Sequence, residues 1–115
     1  MPGTQDDCIF CRIAAGEFGT TFIAESANVV AFDDNAPQAP CHVVVVPKQH
    51  VENVHDLTDA AMWAEILNAV QQVAEAKGVV ESGYRIVSNA GPDSGQEVPH
   101  LHIHVLGGRK LGRIA

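Results

Sequence analysis

Apolar and polar positions along this chain follow two periods, and each period marks a different kind of element. Between Asp56 and Lys77, Leu57, Ala61, Ile66, Val70, Val73 and Ala74 recur at three- and four-residue spacing with Met62 and Trp63 beside them, while Glu65, Asn68, Gln71, Gln72 and Glu75 fill the other side. That is the stripe of an amphipathic helix laid on a core. Asp56, Thr58 or Asp59 can cap its start, and Lys77 followed by Gly78 suits its end.

The rest of the chain reads in shorter pieces. Residues 8–15, CIFCRIAA, form an apolar segment stopped by Gly16, a brief helix that Asp6 or Asp7 could cap. Thr20 to Glu25 and Val29 to Asp33 are β-rich runs separated by Ser26, Ala27 and Asn28, a hairpin pattern. Asp34 to Pro40, DNAPQAP, is turn chemistry throughout. His42 then opens HVVVVP, a nearly continuous apolar run expected of a central strand buried on both faces and ended by Pro47. Lys48, Gln49 and His50 form a polar link. After the long helix, GYRIVSN (Gly83 to Asn89) is another strand, and Asn89 to Gly95 is a loop of glycine and short polar residues. With no repeat and no linker, this order predicts a single α+β domain over residues 1–115, with a mainly antiparallel five-stranded sheet, one long helix and a short N-terminal helix.

The last strand changes the picture. In GQEVPHLHIHVLGGR, Gly95 to Arg109, an extended chain points His100, His102 and His104 to one face and Leu101, Ile103 and Val105 to the other. Uncharged imidazole can serve as base, nucleophile or metal ligand. Isolated structural histidines do not explain the pattern, because these three alternate with aliphatics as a core strand does. A catalytic metal would need a further ligand, and the one nearby carboxylate, Glu97, lies beyond Pro99, where a strand start is unfavourable. If His102 is instead a nucleophile toward phosphorus, His100 and His104 are placed to orient it or to meet phosphate oxygens with N–H groups or charge, and the glycine-rich loop can offer backbone N–H groups.

Composition narrows the partners. The chain is 46% hydrophobic and 18% charged, ordinary values for a globular protein. Its net charge of −7 and the absence of any Lys or Arg cluster disfavour a nucleic-acid or anionic-membrane surface, while leaving room for a small phosphorylated ligand. Val43 to Val46, like every other apolar stretch of the chain, is far too short to span a membrane, and MPGTQDDCIFC has no signal-like run, so a cytoplasmic location is expected. There the three cysteines are expected as thiols or metal ligands, with Cys41 simply buried. Cys8 and Cys11 have the spacing of a zinc half-site, of a redox pair or of two small core residues; only a few polar residues precede them, whereas a thioredoxin-like motif follows a strand.

HLHIHVLGG fits, without a gap, the His-x-His-x-His-x-x signature of the histidine triad family of nucleotide hydrolases and transferases. GYRIVSNAGPDSGQEVPHLHIHVLGGR and FDDNAPQAPCHVVVVPKQHV extend the resemblance over nearly the whole chain, and it is the Hint branch of nucleoside phosphoramidases that they resemble. The resemblance implies a purine nucleoside phosphoramidate hydrolase of the adenosine 5'-monophosphoramidase type, with His102 as nucleophile, His104 at the phosphate and His42 as a supporting histidine. It implies Asp34 at the ribose hydroxyls with Asn35 beside it, and Asn89, Gln96, Glu97 and Val98 around the phosphate. No metal is implied for catalysis, but Cys8, Cys11, His50 and His100 match a structural zinc site of some relatives. A homodimer is implied, with Met62, Trp63 and the end of the last strand as candidate contacts, and His55 is left in an exposed loop. A dinucleoside polyphosphate hydrolase and a nucleotide-binding scaffold are the competing functions. The chain departs from the pattern at Glu97, where many relatives have serine, and at Pro99, where they have an aromatic residue; an ionised glutamate can accept hydrogen bonds but not donate them.

Overall fold

The computed structural model describes residues 7–114. Its elements are α1 (Ile9–Ala14), β1 (Ala24–Glu25), β2 (Val29–Asp33), β3 (Cys41–Pro47), α2 (Ala60–Ala76), β4 (Tyr84–Val87) and β5 (Ile103–Gly107), with single 3-10 turns at Val54–Asp56 and Pro92–Ser94. The five strands form one sheet in the order β1-β2-β3-β5-β4, antiparallel at every pairing. The α+β expectation holds, including the seven-residue central strand buried at every position.

Alternation along the strands sorts the core into two halves. Val29, Ala31, Val43, Val45, Ile103 and Val105 pack with Ile66, Val70, Val73 and Ala74 of α2, and this is the main core. On the opposite face Val30, Phe32, Val44 and Val46 pack with Phe10, Ile13 and Ala14 of α1 and with Phe22. One helix of 17 residues packs across β1, β2, β3 and β5 on one face, whereas six residues of α1 cover a smaller part of the other. The second face therefore has room for a site.

The long helix starts later than its apolar stripe suggests. Asp59 is its cap, accepting from the backbone N–H groups of Ala61 (2.9 Å) and Met62 (3.4 Å), and Leu57 is extended and buried just before it. Neither Asp56 nor Thr58 caps the helix, because the Leu57 carbonyl is taken by Trp63 Nε1–H at 2.9 Å and the chain from Asp56 to Asp59 is held off the helical path. The C-terminus ends as expected: Gly78 adopts φ +68°, its N–H donates to Glu75 and that of Val79 donates to Ala74, the Schellman pattern. Met62 is core and so is withdrawn from any contact surface, while Trp63 is half-buried. At the N-terminus the cap of α1 is Cys8, whose Sγ accepts from Cys11 N–H, and not Asp7; Asp6 lies outside the described residues. Among the described residues no helix is long and apolar enough to cross a membrane.

Candidate functional site

The histidine strand is only partly a strand. The β3–β5 ladder runs from Cys41↔Gly107 to Val45↔Ile103 and stops, leaving His100 and His102 upstream of it. In this register Val46 would oppose His102, and the next hydrogen-bonded pair would join Leu101 to Pro47, which has no N–H to give. Leu101 N–H turns instead to Val51 O at 2.6 Å. The predicted alternation nevertheless survives: Leu101, Ile103 and Val105 enter the α2 core, and the three imidazoles go to the α1 face, where Phe10 lies 5.9 Å from His100 and 5.0 Å from His102, centroid to centroid.

Neighbouring groups that can only donate or only accept decide which nitrogen of each ring carries hydrogen. His100 Nε2 lies 2.8 Å from the Pro47 carbonyl, so Nε2 holds the hydrogen and Nδ1 is a lone pair. His102 Nδ1 lies 2.7 Å from the His100 carbonyl, so Nδ1 holds the hydrogen and Nε2 is the basic nitrogen. Ser88 Oγ–H donates to His102 O at 2.7 Å and steadies that backbone. His42 Nδ1 accepts the Gln38 N–H at 2.9 Å, so its Nε2–H donates to His104 Nδ1 at 2.9 Å, with an Asp34 carboxylate oxygen 3.5 Å away. His104 must then carry its hydrogen on Nε2. Burial pushes His104 down to about 4, helped by His102 and His42 and opposed by Asp34, so the ring is neutral at neutral pH. It can stabilise an oxyanion by donating N–H, and the expected histidine charge is not available from it.

These rings border an open cleft of about 870 Å³ that runs across the sheet. At the β2 end its wall is apolar, built from Phe10, Ile13, Phe18, Phe32 and Val44. His42, His102 and His104 lie in the middle, on β3 and β5, and the β4 end is formed by Asn89, Gly95, Glu97 and Val98. Asp34 and Asn35 also line it; Asp34 Oδ1 accepts Ala36 N–H at 2.8 Å, which holds the turn after β2. Gln96 is the exception among the expected pocket residues. Its amide accepts Gly91 N–H at 2.8 Å and donates to the carbonyls of Glu52 (2.7 Å) and Val98 (3.0 Å), so it ties the loop together and does not line the cleft. Gly95 allows this loop its turn, with φ +87° and an N–H to Pro92 O.

Cys8, Cys11, His50 and His100 are brought together on the far side of His102. Cys8 Sγ lies 3.3 Å from His100 Nδ1, and Cys11 Sγ lies 3.3 Å from His50 Nδ1 and 3.5 Å from His100 Nδ1. The four candidate ligand atoms are all within 4.8 Å of one another. Tetrahedral bonds of zinc to sulfur and nitrogen give ligand-to-ligand edges of about 3.5 Å, which these separations match. The His100 lone pair faces the sulfurs while its other nitrogen is bound to a carbonyl, the usual arrangement of a ligating histidine. Asp34, His42 and His104 form a second compact group, but there His42 turns an N–H inward and is poorly set to bind a cation. His55 is exposed, as expected.

Four contributors escape a reading by residue type. Phe10 lies between the two N-terminal cysteines in sequence, and its ring packs on His102. Gln38 acts through its backbone N–H, which leaves no side-chain signal to find. Arg109 donates to Gln38 O at 3.0 Å, so the turn that sets His42 is itself tied to the end of β5. Ser88 was visible only as one hydroxyl at a strand end.

The HIT domain profile matches residues 15–111. The chain is 47% identical over 107 residues to an uncharacterised 13.2 kDa HIT-like protein of Azospirillum brasilense, covering 90% of this chain and 88% of that protein. It is 35% identical over 109 residues to the purine nucleoside phosphoramidase of Escherichia coli K12, covering 93% and 92%. A HIT family hydrolase from Clostridium thermocellum superposes with a TM-score of 0.93 at 40% identity, covering 97% of this chain and 100% of that one. With the three rings on one face, the sheet order and the sequence match in agreement, this chain belongs to the HIT family.

Proposed function

We propose that this chain is a hydrolase of purine nucleoside phosphoramidates, of the adenosine 5'-monophosphoramidate type and the Hint branch, acting through a nucleotidyl-histidine at His102. The observation that carries the reading is the His102–His100 hydrogen bond, which in the neutral ring places the lone pair on Nε2, in a ring that lines the cleft. Nε2 attacks phosphorus, the P–N bond breaks, and the leaving nitrogen takes a proton from water at the open mouth. Water then attacks phosphorus, a P–O bond forms as the P–Nε2 bond to His102 breaks, and a proton returns to solvent, so one water is consumed per monophosphate and amine formed. His104 Nε2–H is suited to donate to a phosphate oxygen, and His42 holds it in that tautomer. The apolar wall suits a flat base, and Asp34 with Asn35 suits the ribose hydroxyls.

Cys8, Cys11, His50 and His100 would hold a structural zinc ion, which supplies a cross-link between α1, the segment after β3 and the approach to β5. The edge strand β4 exposes Tyr84 and Ile86, which supports pairing of two copies there. The reaction is tested by quenching with a radiolabelled adenosine phosphoramidate and mapping the acid-labile adduct. An adduct on His102, absent in His102→Asn together with turnover, is expected. An adduct elsewhere overturns the mechanism, and tight nucleotide binding without turnover supports a scaffold instead.

A further inference from the structure

We infer that Glu97 selects the leaving group by charge, favouring phosphoramidates whose amine carries a positive group and rejecting anionic leaving groups, polyphosphates among them. The inference rests on the phosphoramidase reading above and assigns a substrate class to its unassigned end. The cleft has a direction. Its apolar wall is at the β2 and α1 end and its phosphate-facing histidines are in the middle, so a nucleoside placed on that wall directs whatever is bonded to phosphorus toward the β4 end. In-line displacement by His102 also puts the departing atom on the side of phosphorus away from the buried ring. Glu97 is the charged lining residue there, exposed, between Gly95 and Val98.

The charges around the cleft are unbalanced. No Lys or Arg is among the residues that line it, while Asp33, Asp34 and Glu97 are. Asp33 is paired with Lys77 at 2.8 Å. Asp34 faces His42 and accepts from Ala36 N–H. The guanidinium groups of the elements around the cleft are engaged elsewhere: Arg12 with Glu17 and the Phe18 ring, Arg85 on β4, opposite Leu106, with the Gly112 carbonyl, and Arg109 with the carbonyls of Gln38 and Lys110. The Glu97 carboxylate alone makes no hydrogen bond or ion pair among the described residues. As a carboxylate it can only accept, so an ammonium donor on the leaving arm satisfies it, and a second anion beside it is repelled. A diphosphate or triphosphate leaving group would meet this carboxylate and no Lys or Arg among the residues that line the cleft.

The size of the effect follows from exposure. A solvent-facing pair of charges is worth up to about fivefold in affinity, so arms of opposite sign should differ by up to about 25-fold at low salt. The test uses three adenosine phosphoramidates whose amine arm ends in an ammonium, a methyl or a carboxylate group. Their dissociation constants are measured by calorimetry on the inactive His102→Asn variant, and kcat/KM is measured on the active protein. The cationic arm is expected to be favoured over the anionic arm by about tenfold, the ratio falling as ionic strength rises. In the Glu97→Gln background the ratio should approach one, and in Glu97→Lys it should invert. A ratio near one in the starting protein, or one unchanged by Glu97→Gln, overturns the inference. If none of the three compounds turns over yet binding still follows the Glu97 charge, the hydrolase reading fails and the selector stands. If all three turn over at equal rates, the reverse holds.

Discussion

His100 and His102 are two residues apart, yet each ring meets a different backbone group through a different nitrogen, and the proposed reading gives them different chemistries on that ground. His100 spends Nε2–H on the Pro47 carbonyl and turns a lone pair toward Cys8 and Cys11. His102 spends Nδ1–H on the His100 carbonyl and keeps its lone pair on Nε2. Across the cleft His42 does the opposite of His100: a backbone N–H occupies its Nδ1, so it passes an N–H toward His104. One cluster presents lone pairs to a common centre, as a cation requires, and the other relays donors, as a phosphate requires. In the proposed reading, identical side chains serve as ligand, nucleophile or donor according to which nitrogen carries the hydrogen.

This contrast can be broken at several points. The largest effect is expected from His102→Asn, which should lower turnover of an adenosine phosphoramidate about a thousandfold or more with a near-unchanged thermal midpoint. If the midpoint instead collapses, the ring is structural and the two clusters are one. Next in size, Cys11→Ala should remove zinc binding and cost about 3 kcal/mol, roughly 10 °C in Tm, because it leaves a buried half-site. The informative comparison is with added zinc, which should raise Tm of the starting protein and not that of the variant. The same variant should raise KM more than it lowers kcat, since α1 carries Phe10 into the cleft wall.

Smaller effects sharpen the donor side. Arg109→Met removes the bond to Gln38 O, which loosens the N–H that sets the His42 tautomer; a several-fold loss in kcat is expected, partly restored by Arg109→Lys. Imidazole nitrogen shifts of His42 should show mixed tautomers in the variant. The smallest effect is the pH dependence of stability from His104, which faces His42, His102 and Asp34. Its folded value, about 4, lies below the ordinary 6.5, so its contribution is whole above pH 6.5 and is lost as pH falls toward 4, where the unfolded chain binds the extra proton. Urea midpoints of the starting protein should fall over that window, and His104→Gln should flatten part of the fall.

Legibility followed the range of the forces involved. Where the cause is local, position along the chain was enough: the α2 stripe, the Gly78 end of that helix, the buried run of β3 and the division of Leu101, Ile103 and Val105 from the histidines all appear as expected. Boundaries failed where a distant group intervened. Trp63 takes the Leu57 carbonyl and delays α2, and Pro47 on β3 ends the ladder that the histidine pattern would have continued to His100. Gln96 has the polarity of a ligand contact, but its amide is consumed by Gly91, Glu52 and Val98.

What this sequence by itself determined is the set of chemical groups and the face each would occupy, because side-chain periodicity depends only on backbone geometry. Tertiary structure alone decided which nitrogen of each ring is protonated, since that depends on carbonyl and N–H groups supplied from other segments: Pro47 for His100, and the Gln38 turn for His42 and through it His104. It also decided that Glu97 would stand in a cleft without a cation, because charge balance is a property of neighbours in space and not of neighbours along the chain.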